Sequence, residues 1–217
     1  SKAHTPDVRY NFGLGQDALR SKASLWGDLA WIPADFKSKL SILMKLVKEE
    51  LSTTTELEKE PAGTLAAKVF SDGESWAGSR LRHSIYPQGG SCTEHTDYGV
   101  FTLQQSTAEG LEHFADGSWQ PLEPPEGYAV LFAGDMLEIL TNGEVKALVH
   151  RVSPGEVRQS HIVFLQPDRK TLVQPLRSFL RNDGTDLAAV CYGDWHHKKT
   201  NLAFKGGDKD SPAPKSA

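Results

Sequence analysis

The chain has 217 residues, enough for one domain with a sizeable core. With 38% hydrophobic residues, 24% charged residues and a formal net charge of −4, it offers no basic face for nucleic acid or an anionic membrane. Its two cysteines, Cys92 and Cys191, are too few for a disulfide scaffold and read as reduced thiols, which points to the cytoplasm.

In chain order, residues 1–30 read as irregular, with turns at Gly13, Gly15 and Gly27. No signal-peptide core is visible in residues 1–7. Residues 34–51 place Phe36, Leu40, Leu43, Met44, Val47 and Leu51 on one stripe at spacings of three and four, which predicts a core-packed helix. A charged run at 56–60 reads as a solvated face and is broken by Pro61 and Gly63. From residue 80 the pattern changes to short β-prone runs between Gly, Pro, Asp and Asn turns, at 80–86, 98–105, 110–114, 128–132, 145–152 and 158–166. Strands at that spacing predict an antiparallel sandwich or barrel. Residues 183–201 look helical again, and 206–217 have the composition of a disordered tail. No apolar run approaches the roughly 18–20 residues that span a bilayer.

Two histidines and an aspartate carry the chemistry. In Glu94-His95-Thr96-Asp97, His95 and Asp97 leave the same face of an extended strand, and His150 is positioned to arrive from another strand. Two imidazoles and one carboxylate form the facial set that leaves positions open on a ferrous ion, the arrangement used with dioxygen. A lone His-x-Asp is common, so its surroundings must decide. Cys92 lies close by and reads as a small hydrophobe rather than a ligand.

The last strand supplies a second signal. Arg158 and Ser160 share a face with Ile162, Phe164 and Gln166, while His161 takes the other. If that face points into a barrel, a lone guanidinium there needs an anion, which it can hold through two parallel hydrogen bonds. The alternative is a surface arginine with the strand reversed. His83, His113, His161, His196 and His197 read as structural or solvated, and Trp195 and Phe179 as packing.

These stretches resemble a known family. Leu81-Arg82-His83-Ser84-Ile85-Tyr86-Pro87, Glu94-His95-Thr96-Asp97-Tyr98-Gly99, Gly110-Leu111-Glu112, Asp116-Gly117-Ser118-Trp119 and Gly134-Asp135 come first. Thr141-Asn142-Gly143, His150-Arg151-Val152 and Arg158-Gln159-Ser160 follow in the same order. Together they are similar to the Fe(II)- and 2-oxoglutarate-dependent oxygenases, in the branch of isopenicillin N synthase and the plant flavonoid and hormone oxygenases. The likeness extends over about residues 7–204. Asn11-Phe12-Gly13-Leu14-Gly15, the 31–51 helix and Tyr192-Gly193-Asp194-Trp195 are part of it.

The resemblance implies a mainly β fold with flanking helices, a double-stranded β-helix or jelly-roll barrel. It divides the chain into an N-terminal helical and irregular region at 1–79, shorter than in relatives, a core barrel at 80–170, a C-terminal helical region at 171–205 and the tail. His95, Asp97 and His150 would hold Fe(II), and Arg158 and Ser160 would bind the distal carboxylate of 2-oxoglutarate, with Tyr86 reaching it through its hydroxyl. The reaction implied is hydroxylation, desaturation or ring closure of a small molecule, consuming O2 and releasing succinate and CO2, with ascorbate a candidate reductant. An oxidase that uses no 2-oxoglutarate, of the isopenicillin N synthase or aminocyclopropane-carboxylate oxidase type, and a non-catalytic barrel are the rival readings. Two details depart from the family pattern: Ser84 stands where Asn is usual, and the spacing from His150 to Arg158 is short.

Overall fold

The computed structural model describes residues 9–14 and 79–204. The helix predicted over 34–51, the charged run at 56–60 and the tail at 206–217 lie outside those residues. The described strands form two principal antiparallel sheets. The larger contains β1 (Tyr10–Leu14), β2 (Arg80–Tyr86), β9 (Arg158–Leu165), β4 (Phe101–Ser106) and β7 (Val130–Ala133), side by side in that order. The smaller runs β3 (Cys92–His95), β8 (His150–Val152), β5 (Leu111–Ala115) and β6 (Ser118–Pro121). A short pair, β10 (Leu172–Val173) and β11 (Val190–Cys191), leads into helix α2 (Tyr192–Phe204), and a shorter helix, α1 (Asp135–Leu140), follows β7.

The larger sheet is covered on both faces, and the side-chain alternation of its strands sorts them. Leu81, Leu103, Val163 and Leu165 point outward into a core completed by Met136, Leu137 and Leu140 of α1 and by Val173, Leu176, Phe179 and Tyr192. Arg82, Tyr86, Gln104, Ile162 and Phe164 take the inner face. There they meet Cys92, His95, Leu111, His150 and Val152 of the smaller sheet around a single cavity. This is the jelly-roll arrangement expected, mainly β with helices outside.

The strands at 80–86 and 158–165 form where alternation and β-branched residues predict them. Other boundaries move for tertiary reasons. The 98–105 run becomes β4 only at Phe101, because Tyr98–Val100 is bent and its backbone is held by the next turn. Gly134 N–H donates to the Val100 carbonyl (3.0 Å), Asp135 N–H to Asp97 (2.8 Å) and Met136 N–H to Gly99 (2.9 Å). No residue with a Cβ fits at Gly134, since that atom would lie 2.4 Å from the Gly99 carbonyl oxygen.

The 145–152 run pairs only from His150, because Ala147 N–H is taken by the Glu138 carboxylate and Leu148 N–H by the Ala133 carbonyl. The C-terminal helix begins at Tyr192 rather than near 183: Asp183 accepts from Thr185 N–H and Oγ1, which closes a turn there instead. Gly193 lies inside α2, where a Cβ would come within 2.6 Å of the Arg169 carbonyl oxygen. Residues 10–14, read as irregular, form the edge strand β1 against β2.

Candidate metal centre and anion seat

His95 closes β3 and pairs across to His150, the first residue of β8. Asp97 is not on the strand, as its spacing from His95 suggested, but in the loop that follows. The amides of Asp135 and Met136 grip the carbonyls of that loop and turn the carboxylate back toward the two rings. The result is convergent. His95 Nε2 is 3.7 Å from Asp97 Oδ1, and His150 Nε2 is 3.9 Å from Asp97 Oδ2. One potential ligand atom from each residue lies within 4.8 Å of the others.

The tautomers follow from the partners. His95 Nδ1 lies 2.7 Å from the Thr93 carbonyl and His150 Nδ1 lies 3.0 Å from that of Leu148. A carbonyl only accepts, so each Nδ1 carries the proton and each Nε2 presents a lone pair. Thr102 Oγ1 donates to Asp97 Oδ2 at 2.6 Å and fixes the carboxylate from β4. Burial pushes the His95 pKa down to about 4, and the neighbouring His150 adds to that shift. The ring still opens a third of its side-chain surface toward the cavity (34%). Neutral imidazoles, one carboxylate and an open side form a donor set that fits a divalent transition ion. The carbonyl and hydroxyl partners are the outer contacts such a site needs. Thr102→Val should lower metal affinity roughly 10–100-fold with the fold unchanged; a variant with undiminished affinity would show that Asp97 needs no such support.

Arg158 and Tyr86 sit opposite each other on paired β9 and β2, and Ser160 stands between Ser84 and Ser106. Arg158 is 2% exposed. Its Nη1 donates to Ser160 Oγ, its Nη2 to Ser106 Oγ at 2.5 Å and its Nε to the Ala108 carbonyl at 3.1 Å. The Tyr86 ring centroid lies 5.4 Å from its Cζ. Among the described residues no carboxylate pairs with this guanidinium, and burial pulls its pKa down. A buried cation resting on neutral hydroxyls fits an anion supplied from outside the chain. The reversed-strand alternative is thereby removed: Arg158 points inward.

Sequence reasoning missed several contributors. Ser106 was visible only as the residue after a predicted strand, and its role comes from register with Ser160. Thr102 belongs to the strand after Asp97 and meets it only because the loop folds back. Arg9 lies beyond the predicted barrel yet lines the cavity and donates to Tyr86 Oη at 3.5 Å. Ser84, the departure from the family pattern, donates to Asn11 Oδ1 of β1 at 2.7 Å. Of the residues read as structural, His83 and His161 stack on each other with ring centroids 4.6 Å apart, and Cys92 Sγ lies 3.8 Å from His95 Nδ1.

Buried histidines give the metal-free protein an acid sensitivity. His161 and His196 are also pushed down to about 4, each first by burial. All three stay neutral in the fold but take up a proton near about 6.5 when unfolded. The unfolded chain therefore binds more protons between about 6.5 and 4. Their contribution is fully present above that window and is lost as pH falls through it. Asp135, pushed up to about 6 by burial, works the other way below that value. Three groups outweigh one, so the melting temperature of the metal-free protein should fall between pH 7 and pH 4.5. A flat or rising profile would contradict these environments.

Known proteins share this arrangement in part. Residues 75–167 match the model of the 2OG-Fe(II) oxygenase superfamily. The 2-oxoglutarate-dependent dioxygenase 19 of Oryza sativa subsp. japonica is 34% identical over 105 residues, 46% of this chain and 31% of that protein. The 1-aminocyclopropane-1-carboxylate oxidase 1 of Arabidopsis thaliana is 38% identical over 96 residues, 42% of this chain and 31% of that protein. The chain thus spans about a third of the length of these curated relatives. Among solved structures, JOX2 in complex with 2OG, Fe and JA superposes with a TM-score of 0.73 at 20% identity, covering 88% of this chain and 60% of that one. At that identity the likeness establishes the fold, a double-stranded β-helix. Among the described residues no helix is long and apolar enough to cross a membrane.

Proposed function

We propose, from the premise that residues 75–167 belong to the 2OG-Fe(II) oxygenase superfamily, that this protein is a non-haem Fe(II) oxygenase using 2-oxoglutarate and O2 to oxidise a small-molecule substrate in the cytoplasm. The single observation that carries the reading is the convergence of His95, Asp97 and His150 in one barrel with the buried Arg158 guanidinium, which has no carboxylate partner among the described residues.

Each residue has a task. His95, Asp97 and His150 would hold the metal through Nε2, a carboxylate oxygen and Nε2. Bound there, Fe(II) would supply the redox chemistry that couples O2 to oxidation of the co-substrate. Arg158 holds the distal carboxylate of 2-oxoglutarate by a charge-assisted pair, with Ser160 and Ser106 orienting the guanidinium and Tyr86 closing the seat. Val152, Leu111, Ile162 and Phe164 line the cavity beside the triad and give it an apolar wall that disfavours water. Ascorbate would serve as an auxiliary reductant.

The test is succinate release. Protein supplied with Fe(II), 2-oxoglutarate and air should form succinate, and a true substrate from a metabolite panel should accelerate it. The likeness to an aminocyclopropane-carboxylate oxidase favours one second reading, an oxidase in which Arg158 grips the substrate's own carboxylate. That enzyme would oxidise its substrate with no succinate formed.

A further inference from the structure

One cation of the cavity has no task in this scheme. Arg82 lies on the inner face of β2, opposite Ile162 of β9, and lines the cavity together with the ligand triad. It is half-buried, and its Cζ lies 4.7 Å from the centroid of the Phe164 ring. That contact supports the flat face of the guanidinium and uses none of its five N–H donors. Among the described residues it makes no hydrogen bond and no ion pair. Among the described residues the cavity lining holds one carboxylate, Asp97, which faces the two histidines and Thr102. Two arginines, Arg82 and Arg9, share the lining with it; burial first and then the like charge of Arg9 lower the Arg82 pKa, and Asp97 opposes them. Among the described residues Arg82 is therefore a cation of the lining with no ion-pair partner.

The co-substrate seat does not absorb it. Arg82 and Tyr86 are four positions apart on one strand face, about 13 Å of backbone. Tyr86 pairs with Arg158, whereas Arg82 lies two rows nearer Phe164. Arg158 with its serine hydroxyls thus lies in the row of Tyr86, and Arg82 lies further along the same sheet face on its aromatic support.

The geometry points to Arg82 as the residue that binds the acid group of the primary substrate, which is a small carboxylic acid presented to the metal from the Phe164 end. This deepens the proposed function and rests on it. A carboxylate suits a guanidinium with unused N–H donors, which can grip it through two parallel bonds.

The experiment loads the protein with redox-inert Mn(II) and 2-oxoglutarate. It is then titrated with butyrate, hexanoate and phenylacetate and with the corresponding primary amides, with binding read by calorimetry. At least one carboxylate should bind, at least tenfold more tightly than its amide. Arg82→Gln should lose that preference and Arg82→Lys should keep part of it, while Mn(II) and 2-oxoglutarate affinities stay within about twofold of the parent in both. Equal binding of acids and amides, binding of none of the acids, or an unchanged preference in Arg82→Gln would overturn the inference. So would loss of 2-oxoglutarate affinity in Arg82→Gln, because Arg82 would then belong to the co-substrate seat. Failure of the parent protein to bind Mn(II) or 2-oxoglutarate would instead overturn the functional reading beneath it.

Discussion

Asp97→Ala is expected to abolish both iron retention and turnover while leaving the metal-free fold standing. Asp97 supplies the carboxylate that both Nε2 atoms face, at 3.7 and 3.9 Å, and no other carboxylate lines the cavity among the described residues. Its loss removes a direct ligand, so the effect should exceed the roughly 10–100-fold cost of losing an outer partner. The fold should survive because the loop is held by backbone bonds from Gly134, Asp135 and Met136, which the substitution leaves in place. Asp97→Asn separates charge from shape. It keeps an oxygen for the Thr102 hydroxyl but no anionic ligand, and it should lose iron as well. Metal content after anaerobic loading, read beside circular dichroism, checks both. Full activity in Asp97→Ala would remove the metal centre from the account.

Arg158→Ala should raise the 2-oxoglutarate requirement strongly with Fe(II) affinity largely intact. A hydrogen-bonded charge pair is worth about 1.5–3 kcal/mol, so the KM for 2-oxoglutarate should rise roughly 10- to 150-fold. Two features keep the variant folded. Ser160 and Ser106 lie 3.3 Å apart and can satisfy each other once the guanidinium is gone. The substitution also removes a buried cation that has no carboxylate partner among the described residues. Equal loss of iron and co-substrate binding would mean that Arg158 supports the barrel rather than the ligand. A succinate yield that does not respond to 2-oxoglutarate concentration would favour the oxidase reading.

What was legible in the sequence follows the range of the forces involved. The strands carrying Tyr86 and Arg158 could be read at once, because a β-prone run of seven or eight residues bounded by turn residues is a local signal. The inward aim of Arg158 was legible only as one of two choices, and the burial of Arg158 and Ser160 decided it. Helix α1 escaped because six residues are too few for a helical period to show. The loop position of Asp97 escaped for a different reason: carbonyls of residues 97–100 are captured by amides from 134–136, a contact between distant segments with no local sequence signature. Gly134 was visible as part of a motif, but its purpose, letting one backbone pass against another, emerges only in three dimensions. Arg9 shares that lesson, since neither spacing nor composition announces that it lines the cavity of the metal site.

The most direct test is an anaerobic Fe(II) titration of the parent protein, Asp97→Ala and His150→Ala, each with and without 2-oxoglutarate. The account predicts one tightly held iron per parent chain, tightened further by the co-substrate, and none in either variant. A parent that retains no iron, or variants that retain it as well as the parent does, would show that the two rings and the carboxylate converge without being a metal centre.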